Sequence, residues 1–185
     1  KFMLLRAYCI AGQSDERSFK EELNKLIKSW PQSDESKKAG EIIAYLNQKL
    51  PELKFEEDRA IAQELYIADT ARKHLFALII ADPAFNINQA TFDVISYNID
   101  NYTNKNYRTE GSQVDGKYMM ITVSGFQDYE TALDYYNGFL VEKYVRNISN
   151  RKIFSFLISN DNLIILNNDK KPERYNIFFI EQYLK

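Results

Sequence analysis

The feature that most constrains this chain is an echo within it. The apolar run Phe76 to Ala81 returns about 43 residues later as Met119 to Ser124, and Ala90 returns as Ala132 at nearly the same offset. A helical pattern follows each run. Two copies of a strand-plus-helix unit restrict the topology, because each copy must bury its helix on a sheet that both copies build. The first run, Leu75 to Ile80, is short, apolar and closed by Asp82-Pro83, which suits a buried strand. Tyr107 to Val114 and Tyr118 to Val123 are the next strands. Asp115-Gly116 between them is a hairpin signal, since both residues accept the positive φ of a primed turn. Ile153 to Ile158 is the fourth strand.

Helices are expected between these strands. One carries the stripe Phe92, Ile95, Ile99 and Tyr102; another starts near Tyr129 and carries Ala132, Tyr136, Phe139 and Leu140. The order strand, helix, strand, strand, helix, strand is the ferredoxin-like split pattern, βαββαβ. Beyond Ser159 two readings stay open. Leu163 to Leu166 suits a strand, whereas a Ser159 cap and the stripe Tyr175, Phe178, Phe179, Tyr183 suit a short helix and then a terminal one.

The first third has a different grammar. Phe2, Leu5, Cys9 and Ile10 share a helical face that Gly12 ends. Ser14 or Asp15 can cap a second helix with the stripe Phe19, Leu23, Leu26, Ile27 and Trp30, stopped by Pro31. Ser33 or Asp34 can cap a third, carrying Ala39, Ile42, Ile43, Leu46 and Leu50 up to Pro51. The expected organisation is an α+β chain: a helical-repeat end at 1–50, a linker and lead-in helix at 51–73 with Phe55, Ile61, Leu65 and Tyr66 as anchors, and an α+β domain at 74–185.

Composition narrows the function. With a net charge of −2 and 27% charged residues, no field strong enough to gather nucleic acid or an acidic membrane is expected. Abundant Asn, dense at 86–106 and 147–168, reads as turns and caps rather than a glycan site. No apolar run approaches the roughly 18 residues of a membrane span. Lys1 to Gly12 holds a cysteine, but Arg6 interrupts the run and Tyr8 stands where a lipoprotein signal needs a small residue, so the segment reads as helix.

No catalytic, cofactor-binding or metal-binding residue is nominated. His74 is the single histidine, which excludes a site of several His ligands, and a structural or surface role is expected for it. Cys9 is expected as a small buried hydrophobe. The acidic clusters Glu21-Glu22, Glu56-Glu57-Asp58 and Asp161/Asp169 are interleaved with lysines and read as solvated faces. The six glycines form no phosphate loop, nucleophile elbow or calcium loop. Tyr118, Phe154 and Phe156 could be forced into an RNA-stacking sheet, but the basic glycine-aromatic signature is missing. The chain is therefore expected to be no enzyme, with neither cofactor nor small-molecule substrate.

Three resemblances add to this reading. Trp30-Pro31-Gln32-Ser33 with Ala39, and Ala7, Gly12, Phe19 and Leu26 before it, resembles the junction of two tetratricopeptide repeats. One repeat cannot bury both its faces, so the array is expected to continue upstream of Lys1. Val123-Ser124-Gly125-Phe126-Gln127-Asp128 with Ala132 resembles a half-repeat of SPOR domains, which bind peptidoglycan glycan strands; the first half has Ala81-Asp82-Pro83 where that pattern places its glycine.

The whole succession is similar to the C-terminal region of PorW/SprE-type tetratricopeptide lipoproteins of the type IX secretion and gliding machinery. It runs from the tetratricopeptide turn through residues 74–80, Phe92 to Asn98, residues 121–126 and 156–159 to Tyr175, Phe178 and Phe179. The resemblance implies a non-catalytic scaffold in the periplasm, anchored to the outer membrane by a lipid upstream of this segment, whose partners are secretion proteins. The alternative is a peptidoglycan-binding module. Candidate surfaces are the repeat concavity and the open face of the sheet.

Overall fold

A computed structural model describes residues 2–12, 15–139, 145 and 151–184. It divides into two compact units, residues 1–58 and 59–185. The chain is mixed α+β, with eight helices and four strands among the described residues.

Unit one is helical: α1 (Phe2–Ala11), α2 (Glu16–Ser29), α3 (Asp34–Lys49) and the first half of α4 (Pro51–Leu65). Its helix ends follow from local chemistry. Asp15 accepts from the Ser18 N–H at 2.8 Å and Ser33 from the Ser36 N–H at 3.1 Å, each capping a helix. Trp30 ends α2, and its carbonyl gathers the Ser33 N–H and both the Ser33 and Ser36 hydroxyls. Helix α2 packs against both α1 and α3. The core is small: Ala7, Leu23, Leu26 and Ala39 are buried, with Phe19, Ile27, Ile42, Ile43 and Leu46 half-buried around them. Arg17 and Lys20 of α2 pair with Glu56 and Glu57 of α4.

Three expectations fail here. Phe2, Leu5 and Cys9 face solvent, because the buried face of α1 runs through Met3, Leu4 and Ala7 instead. Trp30, at the end of the α2 stripe, is also exposed, since its turn is held by backbone and serine hydrogen bonds rather than by burial of the ring. In α4, Phe55 and Leu65 are exposed while Ala62 is buried, and Tyr66, just past the helix, is the other buried anchor. Ser14, an alternative cap, lies outside the described residues.

Unit two holds β1 (His74–Ile80), α5 (Ile87–Asn101), β2 (Arg108–Val114), β3 (Tyr118–Ser124), α6 (Tyr129–Gly138), β4 (Ile153–Ser159), α7 (Asn160–Asp169) and α8 (Pro172–Tyr183). The sheet is antiparallel throughout, in the order β2-β3-β1-β4. Asp115 and Gly116 both carry positive φ, and the Lys117 N–H closes the hairpin on the Val114 carbonyl at 3.2 Å. The internal echo lies at the centre of the sheet: Phe76, Leu78 and Ile80 point to the same face as their counterparts Met119, Ile121 and Val123. Helix α6 packs on β1 and β4 and α5 on β2 and β3, with Ala90 and Ala132 buried under them.

Ser159 caps α7 by accepting from the Asn162 N–H at 3.3 Å, so 163–166 is helix and not strand. Helices α7 and α8 pack on β4. The Ala81 N–H to Lys152 carbonyl bond sets the ladder so that odd residues of β4 turn their backbone groups outward. One of these, the Leu157 carbonyl, accepts from the Tyr175 hydroxyl at 2.9 Å, and α8 thereby closes an edge that would otherwise invite another strand.

The expected inner stripe of α5 is overturned. Ala90, Val94 and Tyr97 are buried, while Phe92, Ile95 and Ile99 are 58%, 38% and 60% exposed. The helix lies so close to β2 that a Cβ on Gly111 would stand 2.6 Å from the Thr91 hydroxyl oxygen, and Asn98 Nδ2 bonds the Thr109 hydroxyl at 3.0 Å. Close approach places the small or polar Ala90, Thr91 and Asn98 on the inner face beside Val94 and Tyr97, and a second apolar stripe is left outside. Leu140, assigned to the α6 stripe, lies outside the described residues.

Candidate functional site

The echoed strand ends at Gly125-Phe126, and a cleft of unit two opens there. It measures about 660 Å³ and is bounded by Lys73, His74, Arg108, Glu110, Gly125 and Phe126. Gly125 sits at φ 102°, where a Cβ would lie 2.7 Å from the Asn106 carbonyl oxygen, so only glycine allows the chain to leave β3 in this direction. Phe126 turns inward. It is buried against Tyr107 and Tyr135 at ring distances of 4.7 and 5.1 Å, inside an aromatic cluster with Phe76, Tyr97 and Phe139. Its ring serves packing and is withheld from any ligand.

His74 is buried at the base of this cleft and engaged through both nitrogens. Nδ1 lies 2.9 Å from the Arg72 carbonyl and Nε2 lies 3.2 Å from the Tyr183 hydroxyl. The carbonyl can only accept, so Nδ1 carries the proton and the Tyr183 hydroxyl donates to Nε2. That hydroxyl oxygen in turn accepts from the Asp69 N–H at 3.2 Å. Tyr129 and Tyr183 enclose the imidazole edge-on at 5.2 and 5.4 Å. Burial pushes the His74 pKa down, and the Arg72 carbonyl and Asp69 offset only part of that shift. The arrangement holds a neutral imidazole in place and gives it no reacting partner.

The acidic clusters are charge-paired. Glu22 meets Arg6 and Lys25, Glu56 meets Arg17, Glu57 meets Lys20, and Asp58 meets Lys54. Asp161 pairs with Arg72 and Asp169 with Arg174. Cys9 is exposed on α1 rather than buried as expected. Among the described residues no group of three or more His, Cys, Asp or Glu side chains is placed to hold a metal ion. None of the described helices is long and apolar enough to cross a membrane.

The sheet face considered for stacking is covered: Phe154 and Phe156 are buried, the latter against Tyr175 at 4.7 Å. Tyr118 is half-buried, and its hydroxyl donates to Glu173 at 3.1 Å. Glu173 also meets Lys152 at 3.0 Å, and burial beside this carboxylate lifts the Tyr118 hydroxyl to about 12. Sequence reading missed Glu173, whose only signal was its place in the first turn of a helix opened by Pro172.

Several large apolar side chains also remain exposed. In unit one Phe2, Leu5, Tyr8, Trp30, Tyr45 and Phe55 face solvent. A cleft of about 550 Å³ between the start of α2 and the α3–α4 junction adds Leu50 and Leu53 beside Arg17, Lys49 and Glu56. In unit two the exposed stripe of α5 borders a depression of about 180 Å³ that includes Thr109 of β2. No family model matches the chain, and no curated protein or solved structure is significantly similar to it.

Proposed function

We propose that the chain is a non-catalytic protein-interaction scaffold, a tetratricopeptide-like helical unit followed by a ferredoxin-like domain. The observation that carries this reading is the set of large apolar side chains left in solvent on the 58-residue helical unit. Phe2, Leu5 and Tyr8 line one side of α1, and Trp30, Tyr45 and Phe55 are exposed on the following helices. Apolar surface of this kind is what a helical repeat buries against a neighbouring repeat or a bound protein. The ferredoxin-like assignment draws on the βαββαβ order and the antiparallel β2-β3-β1-β4 sheet.

The similarity to PorW/SprE-type proteins extends the proposal to a periplasmic scaffold of type IX secretion or gliding, held at the outer membrane by a lipid outside this segment. Immobilised chain incubated with envelope extract from a secretion-competent bacterium is expected to retain secretion components. A Trp30→Ala/Tyr45→Ala variant should retain them less well. Retention of none by the unaltered chain sinks the proposal. The peptidoglycan reading has less support, because the rings a glycan would stack on, Phe126, Phe154 and Phe156, are buried. Salt-resistant co-sedimentation with purified sacculi would reinstate it.

A further inference from the structure

The two edges of the sheet are treated differently. The β4 edge is closed by α8, whereas among the described residues β2 borders only β3 and the exposed side of α5. Because the hairpin closes on the Val114 carbonyl, the even residues of β2 turn their backbone groups to β3. Thr109, Gly111 and Gln113 therefore turn theirs outward. Above this edge stands the α5 stripe. Residues 87, 91 and 98 of α5 meet β2, and Tyr97 meets Tyr135 of α6, which leaves Phe92, Ile95 and Ile99 on the side that overhangs the edge. Ile95, Ile99 and Thr109 share one depression, so apolar stripe and open edge form a continuous surface.

We infer that this surface pairs with a second copy of the same chain, β2 against β2 around a two-fold axis, with the two α5 helices packed side by side. Three observations select a second copy as the occupant. The first is spacing. Helix α5 packs on both β2 and β3, so its axis lies between them. Strands sit about 4.8 Å apart, and continuing the sheet across the two-fold places the two α5 axes about 10 Å apart, the distance at which helices pack.

The second is apolar self-complementarity. Ile95 and Ile99 lie beside Thr109, so an axis passing there brings these two residues toward their counterparts. The third is charge. With Thr109 on the axis, Arg108 faces the partner's Glu110 and Glu110 faces the partner's Arg108. These two residues pair with each other at 2.7 Å within one chain and would exchange partners on association. The neighbouring register sets Glu110 against the partner's Glu110 and is disfavoured.

Sedimentation equilibrium on the 185-residue chain tests this. The mass is expected to rise with concentration from 21.7 kDa to twice that value. An Ile95→Lys/Ile99→Lys variant changes only solvent-facing positions, so its circular dichroism should be unchanged while association weakens by at least about tenfold. Glu110→Arg sets like charges across the strand pair and should also weaken association by about tenfold, and adding Arg108→Glu should restore it. A monomer at every concentration up to about 0.5 mM overturns the inference. So does a dimer that the isoleucine variant leaves intact, because its contact must then lie elsewhere.

Discussion

His74 shows how one residue can be mistaken for chemistry until its neighbours are known. Its pKa is depressed by burial, so at neutral pH the folded chain holds a neutral ring, while the unfolded chain binds a proton near the ordinary value of 6.5. Protonation therefore favours the unfolded state as pH falls below 6.5. The stability contributed above that value is lost as pH drops toward the depressed folded pKa. As the chain's single histidine, His74 leads the decline as pH falls through 6.5, before the carboxylates begin to titrate, with a slope of at most about 1.4 kcal/mol per pH unit. Urea unfolding between about pH 6.5 and 5 should show the decline, and His74→Gln should flatten it. An unchanged slope in the variant would assign the effect to other groups. Gly125 and Phe126 teach the complementary lesson at the same scale. Their folding roles were legible because a sharp turn needs glycine and the space beneath a helix needs a large ring. What the sequence could not show was that Phe126 is closed off from ligands, which depends on Tyr107 and Tyr135 arriving from elsewhere in the chain.

Strands were more legible than helix faces. Each of the four runs read as a strand is one. The polar edge strand β2 was legible through its hairpin turn, while the central β1 and β3 are apolar on both sides and cannot be given the wrong phase. Helices can. On α1 and α5 a stripe of large apolar residues is left in solvent, while the inner faces include Ala7, Ala90 and Asn98, which allow close approach. An interaction surface and a core face have the same periodicity, and sequence alone does not separate them. The edge of β4 yields a further prediction. Tyr175→Phe keeps the ring in its contacts with Phe156 and Tyr66 but removes the hydroxyl that satisfies the Leu157 carbonyl. The group it leaves behind is buried, so a loss of about 1–3 kcal/mol is expected in chemical denaturation. Hydrogen exchange should quicken first at the outward amides of β4. A loss within experimental error would mean that water reaches this carbonyl and that α8 does not seal the edge.

At the scale of the chain, the two units carry unequal cores. The helical unit buries Ala7, Leu23, Leu26 and Ala39, two of them alanines, and leaves several large apolar residues in solvent. The α+β unit buries an extended cluster that includes Phe76, Phe156, Tyr135, Tyr175 and Phe179 around four strands. A unit of about 60 residues is marginal even with a good core. The helical unit should therefore unfold first, and the 185-residue chain should not behave as two-state. Trp30 is the single tryptophan and lies in the helical unit, whereas the buried tyrosines lie in the other, so the two transitions have separate optical probes. Trp30 emission and the amides of α2 and α3 are expected to report unfolding at lower urea than tyrosine near-ultraviolet dichroism and the amides of β1 and β3. Occupation of the exposed apolar surface by a partner would raise the first transition toward the second by mass action. The gap between the two transitions thus doubles as a binding assay for the proposed scaffold. Coincident curves from all four probes in the isolated chain would show that the units fold as one and would remove the basis for treating the helical unit as a surface awaiting a partner.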